Sequence, residues 1–146
     1  MTDVEKAYIA GLFDGEGTVG YYFKTSLGYH RAQVAIYNYD PRVMVWLRKR
    51  LPFGSVVSSN QGKRKKHKGW AWSVNRRRRV ESFLRLIRPY LVVKANQVDL
   101  LFSLWEAEQQ IKQRTGRTVT SELLTLRSRA EADLKDSKTS AFVSLH

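Results

Sequence analysis

Residues 8–19 read YIAGLFDGEGTV, and the spacing of small residues in and just before this stretch decides the fold. Ala7, Gly11 and Gly15 fall four apart and Ala10 adjoins Gly11, so one face of a helix is nearly bare. A glycine inside a helix costs about 1 kcal/mol relative to alanine, so Gly11 needs a reason. Small residues let two backbones approach closely. Either this helix packs tightly on a sheet of its own chain, or it meets a second copy across a two-fold axis. The second reading explains more, because it also sets Glu16, at the helix end, beside its twin. Two carboxylates so placed raise each other's pKa unless cations lie between them. Divalent cations there can activate water, hold a phosphate and stabilise a leaving oxygen. The plainer alternative for Glu16 is an ordinary turn carboxylate.

Working outward, Thr2 and Glu5 have capping-box spacing and start this first helix, which ends in the turn-rich Asp14-Gly15-Glu16-Gly17. Alternation then predicts strands over 18–24 and 31–37, with Val19, Tyr21 and Phe23, and Val34 and Ile36, on one face. Asp40-Pro41 begins a second helix, stopped by Pro52 and Gly54. A second hairpin pairs 54–60 with 70–75. A third helix carries Val80, Phe83, Leu84 and Ile87, and ends before Pro89. A fourth starts near Lys94 and breaks at Gly116, and a fifth spans Ser121 to Lys135. The expected architecture is α+β: an antiparallel sheet with helices packed on one face and a polar, basic face on the other. Residues 1–135 form one domain, and 136–146 are expected to be a loose tail. The bare-faced motif occurs once.

The 146 residues carry a net charge of +13, all of it in residues 1–94; the remainder is neutral. One face meeting a polyanion explains that asymmetry better than mere solubility does. There is no cysteine, so disulfides, thiol nucleophiles and cysteine-ligated zinc are excluded. His30, His67 and His146 are scattered, which leaves oxygen ligands and a hard divalent ion. No apolar run reaches membrane-spanning length, and the first residues lack signal-peptide order; an intracellular protein is expected, in a bacterial or archaeal cytoplasm or an organelle.

The stretch IAGLFDGEG at 9–17 resembles the LAGLIDADG signature of homing endonucleases and related maturases, with Ile9 first, Gly15 replacing the usual alanine and Glu16 as the second acid. The helix–hairpin–helix–hairpin–helix order over residues 4 to 110 agrees, and Pro89–Lys94 (PYLVVK) resembles the family's lysine-bearing stretch. The resemblance implies an intron-encoded type of homodimeric endonuclease that cuts a long, nearly palindromic site in double-stranded DNA with Mg²⁺ or Mn²⁺. It implies Glu16 as the metal-binding acid, with the Gly15 carbonyl as a further ligand. Lys94, and by a looser local match Asn38 and Arg42, would complete the catalytic set. Ala7, Ala10, Gly11 and Asp14 would form the dimer interface. Asp14 is assigned a structural role there, with direct metal ligation as the alternative.

A two-stranded ribbon fits the DNA major groove, and alternate residues reach base edges. The candidates are Tyr22, Lys24, Arg31, Gln33, Ala35, Tyr37, Ser55, Val57, Ser59, Ala71, Ser73 and Asn75, with Arg31 and Gln33 foremost. Lys63, Arg64, Lys65, Lys66 and Lys68, in the loop of the second hairpin, suit phosphates. Arg76–Arg79 lie at a helix start, on the surface or against DNA. The four tryptophans are read as core. Two rivals share the scaffold: an RNA-binding maturase that aids intron folding, and a DNA-binding regulator without chemistry. A basic structural protein would make the motif accidental.

Overall fold

Thr2 caps the first helix as its spacing predicts. Its hydroxyl accepts the Glu5 N–H at 3.1 Å, and the Glu5 carboxylate accepts the Thr2 N–H at 3.0 Å. The computed structural model describes residues 1–59 and 69–140. Helix α1 (Asp3–Glu16) sends Ile9, Ala10 and Phe13 inward, and it stays helical through Asp14-Gly15-Glu16, where a turn was expected. It stops at Gly17, whose N–H bonds the Phe13 carbonyl. A Cβ at Gly17 would sit 2.4 Å from the Phe13 ring, so only glycine lets the chain leave the helix so close to its core anchor. Gly17→Ala should therefore cost about 1–3 kcal/mol, read as a lower midpoint in urea unfolding. An unchanged midpoint would show that both the Phe13 ring and its backbone carbonyl, equally close at 2.4 Å, give way freely.

Strands β1 (Gly17–Lys24) and β2 (Tyr29–Asn38) form the first hairpin, turned with Gly28 at φ 73°. Helix α2 (Pro41–Arg50) follows, with Asp40 accepting the Arg42 N–H at 2.9 Å. The second hairpin is β3 (Ser55–Ser59) and β4 (Gly69–Val74). Helix α3 (Arg77–Ile87), a 3₁₀ turn at Arg88–Tyr90, α4 (Ala95–Thr115) and α5 (Ser121–Ser140) complete the chain. Gly116, at φ 73°, ends α4.

The strands lie in the order β1-β2-β4-β3, every pair antiparallel, so the two hairpins join through their second strands. The register fixes the faces. Val19 lies opposite Val34, Val34 opposite Val74, and Ile36 opposite Trp72. These side chains are buried with Phe13, Leu47, Phe83, Leu84, Ile87, Val98 and Leu101 from the helices. Burial of such side chains is worth roughly 1.5–3 kcal/mol each. Trp72 also donates its indole N–H to the Leu51 carbonyl at 3.2 Å. The α+β layering matches the sequence reading: helices cover one face of the sheet, and the other is left open.

The expected loose tail from 136 is corrected in part. Helix α5 continues to Ser140, because Leu134 is buried and the Thr139 hydroxyl bonds the Lys135 carbonyl at 3.0 Å. Residues 141–146 lie outside the described residues. Among the described residues, no helix is long and apolar enough to cross a membrane.

Candidate active site

The last turn of α1 is held in a frame built by a distant loop. The Asp14 carboxylate accepts three successive backbone N–H groups, from Val92 at 2.8 Å, Val93 at 3.1 Å and Lys94 at 2.9 Å. The Asp14 carbonyl in turn accepts the Lys94 ammonium at 2.7 Å. Asp14 thus has the structural role expected at the helix end, bracing it against residues 92–94. Lys94 is brought toward Glu16, and partial burial lowers its proton affinity while the charges of Asp14 and Glu16 oppose that shift. Asp14→Ala would strand three donors at the surface, a loss of about 2 kcal/mol. Circular-dichroism melts should show it, with Asp14→Asn losing less because one amide oxygen still accepts.

Glu16 is exposed and opens into a cavity of about 500 Å³ between the end of α1 and the open face of the sheet. Gly15, Thr18, Tyr37, Asn38, Tyr39 and Ser59 also line it. The fold thus gathers Glu16, Gly15 and Asn38 with Tyr37 and Ser59 from the expected reading face. Thr18 and Tyr39 are additions; the alternation of β1 already puts Thr18 on the open face, since it pairs with Ala35. Arg42 is a correction. Its guanidinium lies elsewhere, doubly bonded to Asp40 with a shortest contact of 2.6 Å, in a hollow with Val4, Tyr8 and Trp46. The cap residue of α2 captures it, and those hydrogen bonds hold the Asp40 carboxyl down at about 2.

No three acids or histidines converge to hold a metal ion among the described residues. Near the cavity, one chain offers the Glu16 carboxylate and the Gly15 carbonyl, both hard oxygen donors, at the C-terminal end of a helix whose dipole favours cations. The donor chemistry fits a hard divalent ion such as magnesium or manganese.

The stripe on α1 behaves as a surface. Ala7, Gly11 and Gly15 are exposed, and a Cβ at Gly11 or Gly15 would find no atom within 4 Å. The alternative of a tight helix–sheet contact within one chain is thereby removed. Ala10 is corrected: it is 0% exposed and belongs to the core beside Ile9 and Phe13, a helical step of about 100° from Gly11.

On the open face of the sheet, the Tyr22 hydroxyl donates to Gln33 Oε1 at 2.8 Å, and Arg31 Nε donates to the Asn75 carbonyl at 3.3 Å. Lys24, Tyr37, Ser55, Val57, Ser59, Ser73 and Asn75 keep exposed or half-exposed surface. Ala35 and Ala71 are corrected as base-contacting residues. They lie on this face in register, but are only 2% and 6% exposed, and a single methyl group that buried leaves little surface for a base edge. Lys63, Arg64, Lys65, Lys66 and Lys68 lie outside the described residues. Of the arginine run, Arg77 pairs with buried Glu108 at 3.5 Å, and Arg79 bonds the Phe53 carbonyl at 3.2 Å. Trp72 and Trp105 are buried, and Trp46 and Trp70 half-buried.

No protein-family profile matches this chain, and no curated protein matches its sequence. Solved structures do match its fold. The homing endonuclease I-CvuI, crystallised with its target in the presence of calcium, superposes with a TM-score of 0.68 at 17% identity, over 92% of this chain and 82% of the other. The archaeal intron-encoded homing endonuclease I-Vdi141I, complexed with DNA, gives 0.70 at 15% identity over 92% and 84%. The LAGLIDADG meganuclease I-AabMI, bound to uncleaved DNA, gives 0.64 at 14% identity, and this chain covers 43% of its length. The four-stranded antiparallel sheet, its helical cover and the glycine-bearing helix leading into it together give this chain the fold of the LAGLIDADG homing endonucleases.

Proposed function

We propose that the protein is a site-specific double-strand DNA endonuclease that acts as a homodimer with a divalent metal. One observation carries the reading: the exposed, side-chain-poor face of α1 ends at Glu16, which stands at the edge of an open sheet face in a chain of net charge +13. Joined along Ala7, Gly11 and Gly15, two copies would bring their Glu16 carboxylates together and lay their sheets on either side of a two-fold axis. A dimer of that symmetry selects a nearly palindromic site. The neighbours in fold were themselves solved on DNA.

A bound divalent ion would supply an activated water and offset the charge gathering on phosphate. The chain's own part is to hold that ion through Glu16 and the Gly15 carbonyl. Lys94, partly desolvated beside Asp14, brings a positive charge to the phosphate, where a low-dielectric setting strengthens it. Arg31 and Gln33 are the side chains suited to guanine and adenine edges. To read adenine, Gln33 must exchange its bond to Tyr22 for one to the base.

The test is a cleavage selection: purified protein with a randomised duplex library in Mg²⁺, beside an EDTA control. Metal-dependent double-strand breaks at a two-fold-related sequence are expected. Intact DNA together with tight binding of structured intron RNA would replace this reading with the maturase.

A further inference from the structure

Strand β1 lies at the edge of the sheet, so its outer backbone groups need partners from elsewhere. Helix α5 supplies two. Glu131 Oε1 accepts the Phe23 N–H at 3.0 Å, and the Lys138 ammonium donates to the Val19 carbonyl. The spacings agree: four residues of strand cover about 13 Å, and seven residues of helix about 10 Å. Helix and strand therefore run side by side in opposite directions, and α5 delivers its C-terminal turn to the end of β1 that follows Glu16. Leu134, between the two contacts, is buried. Partial burial lowers the proton affinity of Lys138, and the nearby charge of Lys94 adds to that.

We propose that Lys138 is a positioning residue of the active site, which clamps the start of β1, and with it Gly17 and Glu16, opposite the frame that Asp14 builds with residues 92–94. The inference rests on the endonuclease reading above and assigns the C-terminal helix a part in it. A contact serving stability alone would gain nothing from a second cation beside Lys94. At this position the charge sits one short strand segment from the carboxylate, and the Val19 bond fixes the direction in which β1 leaves α1.

Lys138→Met tests it, since it keeps the packing stem and removes the bond and the charge. A misplacement near 1 Å at a reacting group can cost up to about a hundredfold, so a loss of about tenfold in kcat is expected for a loosened strand. KM and calcium-supported DNA affinity should stay within about twofold and the melting temperature within about 2 °C, with Lys138→Arg restoring most of the rate. Amide exchange across Gly17–Tyr21 should quicken in the Met variant and return in the Arg variant. Unchanged kcat, or equal losses in binding and cleavage, would overturn the proposal, the latter marking Lys138 as a plain phosphate contact. If the unaltered protein cuts nothing, the endonuclease reading falls by itself. The exchange measurement still decides the clamp, and unchanged exchange sinks it.

Discussion

In the proposed endonuclease, Glu16→Gln is expected to abolish cleavage, by on the order of 10³-fold or more, and to leave specific DNA binding within about threefold of the unaltered protein. Glutamine keeps the shape and hydrogen-bonding reach of the side chain and removes only the charge. Each chain offers one carboxylate to its cavity, and no other cluster of acids or histidines among the described residues can replace it. The loss is therefore expected in turnover, with the proposed DNA affinity resting on the sheet face and on the basic charge of residues 1–94. Nicking and linearisation of a plasmid carrying the selected site, beside calcium-supported gel shifts, separate the two. Parallel losses would move Glu16 out of the chemistry and into DNA contact.

Gly11→Leu is expected to turn the proposed homodimer into a monomer. Within a single chain the new side chain meets nothing, since a Cβ there has no neighbour within 4 Å, and it gains about 0.8 kcal/mol of helix propensity. In the dimer, two leucines would enter one seam, and overpacking of about 3 kcal/mol weakens association roughly a hundredfold. Sedimentation equilibrium should show the protomer mass at concentrations where the unaltered protein is a dimer, with an equal or higher melting temperature. Double-strand cutting should fall with the dimer. A variant that remains dimeric would place the seam on another face.

The sequence carried the layers well, for reasons visible in single residues. Val19, Val34, Ile36, Trp72 and Val74 alternate with open-face neighbours, and a period of two leaves little choice about which side meets the helices. Thr2 and Asp40 cap where their short oxygen-bearing side chains predict. What the sequence hid depends on partners far along the chain. Joining the hairpins through β2 and β4 is a long-range pairing with no local mark. Ala10 was placed on the bare face because it adjoins Gly11, although a neighbour on a helix points elsewhere. Arg42 follows the second strand as a basic residue should, yet Asp40 takes its guanidinium first. The end of α5 is polar throughout, and the contact of Lys138 with β1, a partner far along the chain, adds to the local reasons it stays helical as far as Ser140.

The bonds from Asp14 to the loop at Val92–Lys94 join residues 78 to 80 positions apart, whereas β1 and β2 are linked by a short turn. Closing a long loop costs entropy that the contact repays only once it forms, so hairpins assemble early and such contacts late. A nascent or partly folded chain thus acquires its first hairpin before Asp14 seats the end of α1 and Lys94. On the proposed function, the surface for binding would form before the site for hydrolysis.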